Sequence, residues 1–142
     1  MHTIQHTNSP IVVTVGCFDV LHIGHVRLLK YAANLGDLIV GINSDASIKM
    51  IKGEARPINN QSVRKEFLLS FPFVKKVEIF NEPDALRFLQ NIKPDIFIKG
   101  GDYTIETINN RETEYLSSIG SKIIIFPFVR GYSTSKILCK NH

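Results

Sequence analysis

Apolar and polar residues alternate in two rhythms along the chain. Residues 11–15, 38–43, 76–80, 95–99 and 122–126 are short apolar or β-branched runs with the length of strands. Residues 24–35, 61–70, 83–91, about 105–119 and 133–140 carry helical spacing instead. The first of these sets Val26, Leu28, Leu29 and Ala32 on one stripe and stops at Gly36, a residue suited to a helix C-terminus. Strand and helix in alternation predict a parallel sheet covered on both faces: an α/β, Rossmann-like three-layer sandwich with a five-stranded parallel sheet in a single domain. Residues 1–10 are polar and read as a flexible N-terminal tail, with residues 11–142 as the domain.

In sheets of this kind the ligand lies beyond the carboxyl ends of the strands. The polar, mostly glycine-bearing segments fall there, at residues 16–25, 43–60, 100–103 and 130–135. Residues 43–60 show no clear element, carry Lys49, Lys52 and Arg56, and predict a mobile loop over the cleft.

At 142 residues, 44% of them hydrophobic and 21% charged, the chain has enough apolar material for one sizeable core. Its net charge of +4 is scattered without an aromatic and basic recognition pattern, which argues against nucleic acid and suits the attraction of phosphorylated substrates. No apolar run reaches the roughly 18 residues of a membrane span, and the start lacks the build of a signal peptide. The expectation is a cytoplasmic protein without membrane insertion. Cys17 and Cys139 stand far apart with no CxxC pair, which predicts reduced thiols and no disulfide framework.

The densest chemistry lies in Gly16-Cys17-Phe18-Asp19-Val20-Leu21-His22-Ile23-Gly24-His25, where the first strand hands over to the first helix. Glycines there admit a close backbone approach, the helix start offers unpaired N–H groups, and each imidazole can donate to a phosphoryl oxygen. Two other readings stand beside phosphate binding. Histidines three apart could ligate a metal, although only Asp19 is near enough in sequence to join them, or they could cap the helix.

Gly-x-Phe-Asp-x-x-His-x-Gly-His after a first strand resembles the signature of the cytidylyltransferase-like nucleotidyltransferases. Leu35-Gly36-Asp37, Asn43-Ser44-Asp45, Arg56-Pro57-Ile58-Asn59 leading to Arg64, Lys99-Gly100-Gly101-Asp102-Tyr103 and Gly131-Tyr132-Ser133-Thr134-Ser135 agree with that family in order, over about residues 11–140. Within it, Lys52-Gly53 and the segments beginning at Arg56 and Lys99 look most like the branch that makes ADP-heptose from ATP and heptose 1-phosphate, free-standing or as the second domain of a fused protein. The alternative is a CTP-dependent transferase acting on glycerol 3-phosphate or another polyol phosphate. A nucleotide-binding protein without turnover is the third reading.

The resemblance implies attack of the acceptor phosphate on the nucleotide α-phosphorus, with release of pyrophosphate and no enzyme-bound intermediate. It gives catalytic work to His22, His25 and Lys52, and nucleotide contacts to Gly16, Cys17, Phe18, Gly24, Arg64, Gly100, Asp102, Ser133 and Thr134. Lys49, Lys52 and Arg56 would hold the phosphate of the second substrate. Mg²⁺ is the implied cofactor, with Asp19 as its ligand, a turn-forming Asp19 being the bland alternative. Family members commonly form homodimers, and the apolar segment Phe71-Pro72-Phe73-Val74 reads either as a dimer contact or as core.

Overall fold

The computed structural model describes residues 9–100 and 110–127. Asp102, Ser133, Thr134, Cys139 and the helix expected at 133–140 lie outside the described residues. Five strands, β1 (Ile11–Gly16), β2 (Asp37–Asn43), β3 (Lys76–Phe80), β4 (Ile96–Gly100) and β5 (Lys122–Phe126), form one parallel sheet in the order β3-β2-β1-β4-β5. Between them run α1 (Ile23–Leu35), α2 (Asp45–Lys52), α3 (Gln61–Leu69), α4 (Leu86–Ile92) and α5 (Asn110–Ser118).

The strand sequences read as unbroken apolar runs because both faces of the sheet are covered. Val12, Leu38, Val40, Ile42 and Ile98 pack with Leu28, Leu29 and Ala32 of α1 and Leu68 of α3 in one layer. Val13, Val15 and Phe97 pack with Phe88 and Leu89 of α4 and Leu116 of α5 in the other. Each such Leu or Phe, fully buried, contributes about 1.5–3 kcal/mol. Phe88 lies so close over β2 that a Cβ on Gly41 would come within 2.5 Å of its ring, so a glycine is needed there. Phe71 and Phe73, partly buried, pack against the α1 layer, and Val74 is buried within it.

Residues 43–60 differ from the expectation of a loop without structure. They contain α2, which starts at Ser44, whose side chain accepts the N–H of Ser47 at 3.1 Å, and stops at Gly53 with φ 98. The helix was hidden because it is short and buries only Ser47 and Ile48, leaving Met50 and Ile51 exposed with no apolar stripe to detect. Its legible signals were the cap and the terminal glycine.

From β1 the chain winds outward through β2 to β3, then returns to add β4 and β5 on the other side. This reversal opens a crevice between the carboxyl ends of β1 and β4, where sheets of this type take their ligands. No helix among the described residues is long and apolar enough to cross a membrane.

Candidate active site

The crevice is a cleft of about 200 Å³ lined by the end of β1 and the turn after it, by His25 and Leu28 of α1, and by Lys99 and Gly100 of β4. Gly16, Cys17, Phe18, His25 and Gly100, five of the residues expected to touch a nucleotide or act on it, are thereby brought together. A side chain on Gly16 would stand 3.1 Å from the Phe18 ring, so that glycine lets the aromatic ring fold back over the strand end. Phe18 itself adopts φ 49, a left-handed conformation unfavourable for a non-glycine residue, and its ring centroid lies 5.5 Å from that of His25. Cys17 is half-buried, with Sγ 3.7 Å from Oδ1 of Asn43.

The two histidines build the start of α1. Nδ1 of His22 accepts the N–H of Gly24 at 3.0 Å, and Nδ1 of His25 accepts the N–H of His22 at 3.2 Å. This is a reciprocal capping box made from imidazoles, and it satisfies two helix-start donors. A ring nitrogen that accepts a hydrogen bond carries no proton, so each neutral ring holds its proton on Nε2. Burial lowers the pKa of His22, while burial, with the neighbouring His22, brings His25 down to about 4. Both rings are therefore neutral near pH 7, each with its proton on Nε2. Capping and phosphate binding, alternatives in sequence, are compatible here because each function uses a different nitrogen. No group of three or more His, Cys, Asp or Glu among the described residues is placed to hold a metal.

Asp19 and Arg64 both make contacts within the protein. The Asp19 carboxylate accepts the N–H of Ile58 and of Asn59, both at 2.8 Å, and lies 3.4 Å from the Arg56 guanidinium. Its own carbonyl accepts from Nδ2 of Asn59 at 2.7 Å. Burial alone would raise the Asp19 pKa, but the Asn59 and Ile58 N–H groups and Arg56 outweigh it and hold the carboxyl below its ordinary value. Both oxygens are thus engaged by donors of the 56–59 segment, a turn-organising contact.

Arg64 neither pairs on the surface nor points its described donors toward a ligand. It is 2% exposed, with Nε donating to the Asn59 carbonyl, Nη1 to the carbonyls of Cys17 and Asn43, and Nη2 to the Asp45 carboxylate, at 2.7–2.9 Å. One guanidinium so ties the turn after β1, the end of β2, the start of α2 and the 56–59 segment together. Those acceptors are distant in sequence, which is why an arginine in the first turn of a helix reads as a surface group.

Lys49 and Lys52 are exposed on the last turn of α2, and Arg56 is partly exposed just beyond it. None of the three lines the cleft as described. Gly24 is buried within the first turn of α1, where its N–H serves the His22 cap. Lys99 is the cleft residue that patterning does not single out, because a lysine at a strand end reads as solvent-facing.

Residues 13–140 match the cytidylyltransferase-like family. The chain is 44% identical over 138 residues to the bifunctional protein HldE of Campylobacter jejuni subsp. jejuni serotype O:6, covering 96% of this chain and 29% of that protein. Against the bifunctional protein HldE of Citrifermentans bemidjiense it is 42% identical over 143 residues, covering 98% of this chain and 29% of that one. The chain therefore spans about three-tenths of the length of these curated relatives. Among solved structures, the lipopolysaccharide core biosynthesis protein of Thermoplasma volcanium has a TM-score of 0.68 at 26% identity, covering 86% of this chain and 98% of that one. Pantoate-β-alanine ligase of Francisella tularensis, at 18% identity and a TM-score of 0.60 over 94% of this chain and 66% of that one, shares the fold. An imidazole cradle at the switch point of a five-stranded parallel sheet and a family match over nearly the whole sequence lead to one conclusion: the chain belongs to the cytidylyltransferase-like family and is a nucleotidyltransferase.

Proposed function

We propose that the protein transfers AMP from ATP to D-glycero-D-manno-heptose 1-phosphate, giving ADP-heptose and pyrophosphate. The observation that carries the transfer chemistry is the pair of neutral imidazoles whose Nδ1 atoms cap α1 and whose protons sit on Nε2. An acceptor phosphate is already ionised near neutral pH, so no general base is required. Its oxygen bonds to the α-phosphorus as the bond from that phosphorus to the bridging oxygen breaks, and the electron pair leaves with pyrophosphate. What the protein must supply is alignment and donors aimed at the charge on the transferring group, a role suited to His22 and His25. Being neutral, they donate without first having to lose or gain a proton.

Gly16, Cys17, Phe18 and Gly100 provide the walls against which the nucleotide lies, and Lys49, Lys52 and Arg56 receive the acceptor phosphate from the rim. Ser133, Thr134 and Asp102 complete the proposal from the segments outside the described residues. Mg²⁺, when bound, offsets charge on the phosphates, whose oxygens rather than a protein cage would hold it. The choice of heptose is supported by Lys52-Gly53, by the segments at Arg56–Asn59 and Lys99–Tyr103, by the identity with the HldE proteins, and by the likeness to a lipopolysaccharide core biosynthesis protein.

The test is pyrophosphate release measured with ATP or CTP against heptose 1-phosphate, glycerol 3-phosphate and a wider panel of sugar and polyol phosphates. Turnover with ATP and heptose 1-phosphate is the expected result. Turnover with CTP alone, or with a polyol phosphate in preference to the sugar, overturns the assignment.

A further inference from the structure

Nucleotidyl transfer brings several negative charges into the crevice, yet the imidazole that lines it is neutral. Among the described residues lining the cleft, Lys99 is the only Lys, Arg, Asp or Glu. The pairing of β1 with β4 runs from Val12↔Ile96 to Thr14↔Ile98, so Lys99 comes next in line, beside the part of β1 that turns into the phosphate loop. It is half-buried there.

Glu112 of α5 is 6% exposed and accepts the N–H of Ala85 at 2.8 Å. Burial lowers the Lys99 pKa, and the nearby Glu112, together with Cys17, opposes that change. Burial likewise raises the Glu112 pKa, while the Ala85 N–H and Lys99 act against the rise. Keeping a charge on a half-buried lysine carries a desolvation cost, and a phosphate entering the cleft that Lys99 lines would offset it.

We propose that Lys99 is the cationic phosphate ligand of the cleft, its ammonium group contacting a phosphate oxygen of the bound substrates. The role concerns the phosphates and not the base or the sugar, so it stands whichever nucleotide and acceptor the protein uses.

The experiment compares the full chain with Lys99→Met, Lys99→Arg, Glu112→Gln and the double variant Lys99→Met with Glu112→Gln. Affinities for ATP, CTP and inorganic pyrophosphate are measured by calorimetry, pyrophosphate release is followed with the active substrate pair, and thermal unfolding is recorded beside them. Lys99→Met is expected to weaken a phosphate contact roughly tenfold or more, as befits a hydrogen bond to a charged group. A loss of affinity for ATP and pyrophosphate assigns the contact to the nucleotide, and a raised KM for the acceptor with nucleotide affinity intact assigns it to the acceptor phosphate. Lys99→Arg should recover most of the loss. The double variant removes both side chains, and it should stay defective. The proposal is overturned if Lys99→Met leaves nucleotide affinity and acceptor KM within about twofold, or if the double variant restores both, since Lys99 would then serve only as the counter-ion of Glu112.

Discussion

The cradle at the start of α1 and the clasp between the turn after β1 and the 56–64 region handle polarity in opposite ways. In the cradle each imidazole divides its work, one nitrogen accepting from the helix start and the other carrying a proton. In the clasp two buried charges, Asp19 and Arg64, are bound to backbone groups and to Arg56 and Asp45 within the protein. The formal charges of the clasp thus shape the loops, while the rings of the cradle stay uncharged. A family motif names both sets of residues without separating those two tasks.

The largest effect expected from breaking this contrast is on the clasp. Arg64→Met removes a buried cation and leaves the carbonyls of Cys17, Asn43 and Asn59 without their donor, and loss of one partner from such a buried network costs about 3–5 kcal/mol. Denaturant unfolding should show a loss of that size, with a drop in nucleotide affinity only as the loop loosens. Unchanged stability with lost ATP affinity would instead make Arg64 the direct nucleotide ligand that the family resemblance implies.

The cradle should respond in the other currency, turnover. His22→Ala removes a donor to the transferring group, worth about 2.7–4 kcal/mol by analogy with oxyanion donors, or about 10²–10³ in kcat. It also removes an N-cap worth about 0.5–2 kcal/mol of stability. His22→Asn separates the two, since asparagine is a good N-cap but has no Nε2. Its unfolding should approach that of the parent while turnover remains low. Recovery of turnover along with stability would show that His22 acts only as a cap.

A pH series sharpens the comparison at smaller cost to the protein. His25 is lowered from its ordinary 6.5 to about 4, so the folded state favours the neutral ring and the unfolded chain binds the extra proton between those values. Its contribution is present above pH 6.5 and is lost as pH falls toward 4. Asp19, held below its ordinary 3.8, contributes above that value and loses its contribution as pH falls through its folded pKa. Glu112, raised above 4.5, has the opposite slope from that point upward. His25→Gln should therefore flatten the rise in stability between pH 4 and 6.5, and Asp19→Asn should change only the more acidic limb. A resonance assigned to the His25 imidazole of the nucleotide-free protein that titrates near 6.5 would contradict the neutral cradle.

What the sequence discloses follows from how local each feature is. The five strands are legible because burial on both faces makes each a short apolar run, and the cradle because Gly16 to His25 is one continuous segment. α2 is hidden by its single buried aliphatic side chain. The tasks of Arg64 and Lys99 depend on which strands become neighbours: Arg64 reaches carbonyls of the phosphate loop and β2, and Lys99 meets the cleft only because β4 adds beside β1. A residue's type and spacing give its chemistry, but whether that chemistry is turned inward or toward a ligand is settled by contacts remote in the chain.

The smallest effects should come from the rim. Lys49 and Lys52 are exposed on the last turn of α2, where a cation gains about 0.3–1 kcal/mol from the helix dipole. Lys52→Ala should therefore change stability by less than about 1 kcal/mol. Because Lys52 does not line the described cleft, affinity for ATP alone should also hold. Its effect belongs to the second substrate: KM for the sugar phosphate should rise and kcat should fall only if the lysine also stays on the phosphate as the new bond forms. The clasp gives this separation its structural basis, since Asp19 fixes the 56–59 segment while leaving α2 to present its lysines outward. If ATP affinity falls in Lys52→Ala without any acceptor present, the rim and the cleft are one phosphate site, and the division between them fails.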